Sequence, residues 1–176
     1  KGDIRAETFS IVDLSDVLET LLPHFQAKAL ESGILLSLNS LEKRTVVLGY
    51  QEGLNQLLAH LMNNAIHYTP AGGRVEVGLL HRGKEVALYV QDTGIGMDED
   101  EIEQIFERFY RGKEVRQSDI LGAGLGLSIV SGIAQAHGGR IVVESVRGQG
   151  STFTVWFPTA YSSTTASAVS SPGENG

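Results

Sequence analysis

Apolar residues recur at helical spacing in three stretches of the chain, and each stretch predicts a helix. Residues 13–32 form the first, with Asp13 or Ser15 as its N-cap and Gly33 as its stop signal. Pro23 lies inside this pattern, and proline has no backbone N–H to donate to the preceding turn. The sequence therefore predicts a helix with a bend or a local break at Pro23.

The second and third helices are predicted at residues 51–68 and 126–137. The second has the strongest periodicity, and its apolar stripe should face a core: Leu54, Leu57, Leu58, Leu61 and Ala65. It ends in a turn at residues 69–73, which contains one proline and two glycines. Gly138 and Gly139 close the third helix.

Short runs of alternating or apolar residues predict seven strands between and after these helices. They lie at residues 9–12, 34–38, 45–48, 74–80, 86–90, 140–145 and 151–157. Residues 92–122 form a long irregular stretch that is rich in charge, with a short helical pattern at 101–109. From residue 159 onward the chain has almost no large apolar side chain, so it cannot offset the entropy of ordering. We expect a linker at residues 1–8, one domain at 9–158 and a disordered tail at 159–176.

Composition excludes several classes of function. The formal net charge of -7 argues against a nucleic-acid-binding protein, which usually carries a basic stripe. An anionic ligand would therefore need a metal ion, a few placed arginines or helix N-termini. The chain has no cysteine, which excludes disulfides, thiolate metal sites and cysteine nucleophiles. It has no apolar run of the roughly 20 residues that a membrane-spanning helix needs.

A polar face runs beside the leucine stripe of the second helix. His60, Asn64 and His67 lie at positions i, i+4 and i+7, which share one side of a helix. The carbonyl oxygen of an asparagine is a hard ligand that suits Mg²⁺. Taken alone, the pattern is also typical of a solvated helix face, and that interpretation stays open.

Two glycine-containing segments predict contacts with a flat or phosphorylated ligand. Asp92 begins the sequence DTGIG directly after a strand, where a carboxylate can accept a hydrogen bond from an amino group such as that of adenine. An ordinary turn remains the alternative there. Residues 122–128, GAGLGLS, open a helix, and bare amides at a helix N-terminus attract phosphate. A flexible loop leading into a helix is the alternative for this segment.

Taken together and in order, these motifs resemble the boxes of sensor histidine kinases. The Asn64 helix, DTGIG, residues 106–110, GAGLGLS and RGQGSTF are similar to the asparagine box, first glycine box, phenylalanine box, second glycine box and trailing glycine turn. The resemblance covers roughly residues 5–158. It implies an α/β (α+β) two-layer sandwich, a mixed and mostly antiparallel sheet packed on three helices, with a mobile ATP lid. ATP and Mg²⁺ are the implied cofactors.

The resemblance also implies individual roles for the matching residues. Asp92 would bind the adenine amino group, Asn64 would ligate Mg²⁺, and Arg111 would reach the γ-phosphate from the lid. Phe106 and Phe109 would anchor the lid, although plain core packing is an alternative for Phe106. The residues implied to shape the pocket or to contact the nucleotide are Tyr68, Gly94, Gly96, Phe109, Gly122, Gly124, Leu125, Gly126 and Leu127.

Two positions depart from the family pattern. The family commonly has asparagine where this chain has His60, and the gyrase and heat-shock chaperone branches have a glutamate there that activates water. His60 is therefore a candidate catalytic residue, either as a base or as a polar substitute for asparagine. The family often has a lysine that meets a phosphate where this chain has His67. A histidine carries full charge only when it is protonated, so ATP binding should strengthen toward about pH 6.

The implied reaction is transfer of the ATP γ-phosphate to a histidine on a separate dimerisation domain, which we expect outside these residues. None of the five histidines is followed by the acidic residue that is typical of an acceptor box. We therefore expect a monomeric, cytoplasmic fragment that binds ATP without phosphorylating itself, with a response regulator as partner of the homodimeric kinase. A gyrase- or chaperone-type ATPase, a non-catalytic docking module and an anti-sigma-factor kinase remain alternatives.

Overall fold

The computed structural model describes residues 9–39, 44–105 and 123–160, and side chains from 127 onward in the last range. Its helices are α1 (Leu14–Glu31), α2 (Gln51–His67), α3 (Glu99–Gln104) and α4 (Ala123–Ala136). Its strands are β1 (Ser10–Asp13), β2 (Leu35–Asn39), β3 (Val46–Gly49), β4 (Arg74–Arg82), β5 (Glu85–Asp92), β6 (Arg140–Val146) and β7 (Gly150–Pro158). No helix among the described residues is long and apolar enough to cross a membrane.

Five strands form one mixed sheet in the order β2-β4-β5-β7-β6. Only β2 and β4 run parallel, and every other neighbouring pair is antiparallel. Strands β1 and β3 form a separate antiparallel pair beside it. Helices α1, α2 and α4 bury their apolar sides against one face of the sheet, so one core lies between two layers. The expected two-layer sandwich of a mostly antiparallel sheet on three helices is confirmed.

The sheet brings its functional loop to the end of β5. Val86, Leu88 and Val90 alternate toward the helices and are almost fully buried. Because β5 is held between β4 and β7 along its whole length, its last residue, Asp92, is fixed by pairing on both sides. A central strand therefore delivers Asp92 to a rigid position next to the end of α2.

Helix α1 continues through Pro23, so a break there is wrong, while the alternative of a bend stays a prediction. Its side chains explain the continuity, since Leu18 and Phe25 on either side of the proline are buried in the core. Packing of that apolar face outweighs the hydrogen bond that proline cannot donate. The predicted ends of α1 agree with the structure to within a residue or two. The Asp13 carboxylate accepts from the Ser15 N–H at 3.0 Å, and Gly33 follows the helix with φ +70°.

Candidate functional site

Asp92 is the buried carboxyl group of the candidate site. It closes β5 with 8% of its surface exposed, and its Oδ1 accepts from the backbone N–H groups of Gly94 at 2.9 Å and Ser151 at 3.2 Å. Burial raises the pKa of the Asp92 carboxyl, while these two N–H donors act in the opposite direction. Among the described residues no donor is bonded to the second carboxylate oxygen, Oδ2. One oxygen therefore holds the loop, and the other remains available to a ligand.

The glycines after Asp92 are required by close backbone packing. A Cβ on Gly94 would overlap the carbonyl oxygen of Tyr68, and a Cβ on Gly96 would overlap that of Val146. Gly96 also has φ +66°, which side-chain-bearing residues rarely adopt. The Ile95 N–H donates to the Tyr68 carbonyl at 3.2 Å. The loop is thus clamped between the end of α2 and the β6–β7 turn.

Helix α2 supplies the wall opposite this loop. Asn64 is half-buried, its Nδ2 is buried, and its side chain makes no hydrogen bond with any described residue. His60, one turn earlier, is also half-buried, and burial lowers the pKa of its imidazole. His67 is exposed, and its ring lies edge-on to Tyr68 with centroids 4.7 Å apart. The predicted polar face is therefore not fully solvent-exposed, because two of its three residues are half-buried.

Helix α2 and the loop after Asp92 carry the two functional groups of the candidate site, a carboxylate and an amide. The carbonyl of Tyr68 is bonded to the loop that follows Asp92, so the residues after Asn64 and the residues after Asp92 are in direct contact. The Asp92 Oδ2 and the Asn64 amide, neither of which has a hydrogen-bond partner among the described residues, therefore lie on segments that contact each other. This arrangement can accept an amino group at Asp92 and offer an oxygen to a hard cation at Asn64.

The second glycine segment lies within α4, which begins at Ala123, three residues earlier than predicted. Gly124, Leu125 and Gly126 are therefore in its first turn, where several N–H groups have no acceptor within the helix. Leu127 is 1% exposed in the core, which gives its side chain a packing role. Phe106, Phe109, Arg111 and Gly122 lie outside the described residues.

The sequence motifs did not predict a polar cluster that joins the β6–β7 turn to α3. Arg147 forms ion pairs with Asp98 at 3.0 Å and with Glu101, which is only 2% exposed. The Glu101 carboxylate also accepts from the Asp98 N–H at 3.0 Å, which caps α3. The spacing of Asp98 and Glu101 is that of a capping box, so the sequence contained this signal. Its pairing with Arg147 depends on tertiary contact.

A buried histidine, His137, connects the N-terminal end of α2 to the C-terminal end of α4. The His137 Nε2 accepts from the Tyr50 N–H at 3.0 Å, and its Nδ1 lies 2.7 Å from the Ile133 carbonyl. Phe9 stacks on the ring with centroids 4.9 Å apart. Burial lowers the pKa of His137, while its contact with Ile133 acts in the opposite direction. Both ring nitrogens are used, so the imidazole has a structural task and no free lone pair.

In the described part of the chain, no three histidine, aspartate or glutamate side chains cluster as a metal site. A cation at Asn64 would therefore complete its shell with oxygens from elsewhere, such as phosphate and water. Mg²⁺ is commonly bound in this way, through one or two protein ligands plus substrate phosphates. The unpartnered amide of Asn64 is consistent with that type of site.

Comparison with known proteins places these features in a family context. The family model described as histidine kinase-, DNA gyrase B-, and HSP90-like ATPase matches residues 49–161. The sensor histidine kinase RppB of Synechocystis is 39% identical over 156 residues, which are 89% of this chain and 34% of RppB. The sensor protein kinase PmrB of Pseudomonas aeruginosa is 35% identical over 158 residues, 89% of this chain and 32% of PmrB. The chain thus spans about a third of each of these relatives.

Solved structures of similar fold come from the same type of protein. The mycobacterial sensor histidine kinase MprB superposes with a TM-score of 0.74 and 28% identity, covering 85% of this chain and 97% of that one. Full-length ShkA in complex with AMPPNP superposes with a TM-score of 0.75 and 31% identity, covering 87% of this chain and 31% of ShkA.

Proposed function

The chain belongs to the family of histidine kinase-, DNA gyrase B- and HSP90-like ATPases, and on that premise we propose that it is the ATP-binding catalytic domain of a two-component sensor histidine kinase. Its role is to bind Mg-ATP and present the γ-phosphate to a histidine on a separate dimerisation domain. Phosphoryl transfer depends mainly on positioning and charge neutralisation, which such a domain can supply without a covalent intermediate.

The observation that carries this proposal is the state of Asp92. Its Oδ1 is committed to two backbone N–H groups, while Oδ2 has no donor among the described residues. A buried carboxylate oxygen without a partner is costly unless a ligand supplies a donor. The exocyclic amino group of adenine supplies one, so we assign Asp92 to adenine recognition. Gly94 then keeps the loop backbone close to the end of α2, and Gly96 keeps it close to the β6–β7 turn.

Asn64 is the residue of this chain that would hold Mg²⁺, together with phosphate oxygens of the nucleotide. Bound there, Mg²⁺ neutralises phosphate charge, which matters in a protein whose formal net charge is -7. The first-turn amides of α4 add a second source of positive potential, at Gly124 and Leu125. The family resemblance extends this phosphate-facing role to the amides of Gly126 and Leu127.

The lid residues complete the proposed site by analogy with the family. Arg111 is assigned to the γ-phosphate, and Phe109 to anchoring the lid over the nucleotide. Gly122 is assigned to the part of the second glycine segment that contacts the nucleotide. These three roles rest on the family resemblance of the sequence, and alanine substitution of Arg111 is the direct test of the first of them.

The proposed partners follow from the reaction. A sensor histidine kinase acts as a homodimer through its dimerisation domain and passes the phosphoryl group to a response regulator. ATP as substrate makes the cytoplasm the proposed location of this domain. We infer that this chain by itself is a monomer, because the family dimerises through other helices.

His67 is proposed to meet a phosphate from its exposed position at the end of α2. His67→Lys should tighten ATP binding, because a lysine ammonium is a compact positive charge that pairs with phosphate. Calorimetric titrations of both proteins test the assignment, and equal affinities would contradict it.

The proposed function is tested by calorimetry with ATP, in Mg²⁺ and in EDTA, and by incubation with ATP labelled on the γ-phosphate. We expect Mg²⁺-dependent binding and no label on the chain, since its acceptor histidine would lie elsewhere. Adding a kinase fragment that carries an acceptor histidine should then allow labelling of that fragment. No binding would favour a docking module, and steady hydrolysis would favour an ATPase of the gyrase type.

A further inference from the structure

His60 differs from His137 and His67 in what its ring touches, and from the exposed His81 in being half-buried. Both ring nitrogens of His137 are occupied, and His67 lies edge-on to Tyr68. His60 is half-buried, yet no hydrogen bond, ion pair or ring contact joins it to any other residue in the described part of the chain. Burial lowers the pKa of its imidazole, so the neutral ring with a free lone pair is favoured.

The second unengaged group on this helix is one turn away. Asn64 follows His60 by four residues, so their Cβ atoms are about 5–6 Å apart on the same helix face. The Asn64 amide also makes no hydrogen bond to any residue that the structure describes, and its Nδ2 is buried. The intervening Asn63 is engaged elsewhere, because its Oδ1 accepts from Lys28 of α1. Two unsatisfied polar side chains at this spacing can reach a single ion between them.

The chemistry of the pair differs from that of two asparagines. An amide oxygen is a hard ligand and suits Mg²⁺, whereas an imidazole nitrogen favours divalent first-row transition metals. Phosphate oxygens accept either kind of ion. Exchange of an amide oxygen for an imidazole nitrogen therefore raises affinity for a transition metal and does little for Mg²⁺.

Resting on the proposed nucleotide site, we propose that His60 supplies an imidazole nitrogen to the nucleotide-bound cation beside Asn64, so that this pocket prefers Mn²⁺ to Mg²⁺. His60 then acts as a ligand that determines metal specificity. It does not act as a base that activates water.

The experiment uses Mn²⁺ with ADP, which gives a paramagnetic centre without phosphoryl transfer. Pulsed electron paramagnetic resonance detects a ¹⁴N nucleus bound directly to Mn²⁺, and ¹⁵N-histidine labelling of the chain identifies its source. We expect nitrogen coupling in the wild type and in the matched control Asn63→Ala, and none in His60→Asn. Calorimetry should show that the ratio of Mn²⁺ affinity to Mg²⁺ affinity falls about tenfold in His60→Asn. This is the lower end of the effect known for losing a residue that only supports a metal ligand.

Separate readouts distinguish this inference from the proposed function. If the wild type binds Mn-ADP and Mg-ADP without nitrogen coupling, the His60 assignment is wrong and the nucleotide site stands. If the wild type binds neither, both are wrong. His60→Gln serves as a second variant, and thermal unfolding of each protein shows whether a lost signal reflects lost structure. Nitrogen coupling that persists in both folded His60 variants would also overturn the assignment.

Discussion

Substitution of Asp92 by asparagine separates the two tasks of its carboxylate. Oδ1 accepts from the Gly94 and Ser151 N–H groups, and an asparagine oxygen can accept from both in the same place. The position of Oδ2 would then carry an NH₂ group. That group donates, so it would face the adenine amino group donor to donor. The loop should keep its conformation while the ligand loses its acceptor.

The size of the effect follows from the type of hydrogen bond that is lost. A hydrogen bond to a charged group contributes about 1.5–3 kcal/mol net, which corresponds to roughly 10- to 150-fold in affinity for ATP. The free energy of unfolding of Asp92→Asn should be higher than that of the wild type, or equal to it. Burial raises the pKa of Asp92, so its charged form is disfavoured in the folded state, and a neutral amide removes that cost at pH 7.

The pH dependence has a definite sign. An acid whose folded-state pKa is raised gives a stability contribution that is present below its unfolded pKa and lost as pH rises through the folded value. Asp92→Asn should remove this loss. The difference in free energy of unfolding between the variant and the wild type should therefore grow, in favour of the variant, as pH rises from acid to neutral. Urea denaturation at several pH values measures it.

Calorimetry with Mg-ATP and urea denaturation are run on the same preparations. Glu144→Gln is the matched control, because it removes one negative charge from an exposed position on β6. Unchanged ATP affinity in Asp92→Asn would refute the assignment of Oδ2 to adenine. A marked loss of stability would refute the claim that Oδ1 alone supports the loop.

Three further predictions concern the packing around the site. Gly94→Ala should abolish ATP binding and cost about 1–3 kcal/mol of stability, because its Cβ would overlap the C-cap carbonyl of α2. Gly132→Ala, whose Cβ meets nothing within 4 Å in α4, should stabilise by about 0.5–1 kcal/mol; equal stabilities in urea would contradict this contrast. His137→Phe should lose about 1 kcal/mol at pH 7, through the unpaired N-cap amide of α2. Because burial lowers the pKa of His137, its stabilisation is present above about pH 6.5 and lost on acidification. The wild type should therefore lose stability with acid more steeply than the variant, and parallel pH profiles would count against this role. Arg147→Met should lower the free energy of unfolding by about 1–3 kcal/mol by leaving buried Glu101 without its cation. Adding Glu101→Gln should recover most of that loss in a double-mutant cycle, and simple additivity would argue against the ion pair.

The periodicity of apolar residues by itself determined most of the secondary structure. The stripe that includes Leu57 and Leu61 predicted α2 to within a residue of its observed bounds. It could do so because a helix that buries one face has apolar residues at regular helical spacing. The order of the glycine and asparagine motifs indicated the family, and the family match and the fold confirm it. Local signals also placed Asp92 at the end of a strand.

Tertiary structure decided what those signals leave open. Pro23 predicts a break by its own chemistry, but core packing of Phe25 keeps α1 continuous. The pairing of Arg147 with Glu101 joins residues 46 positions apart, and sequence spacing carries no information about such contacts. The same holds for the task of His137, which depends on Tyr50 across the fold. Motifs specify which groups are present, whereas packing alone sets which of their atoms lack a partner among the described residues, as at Asn64 and at Oδ2 of Asp92.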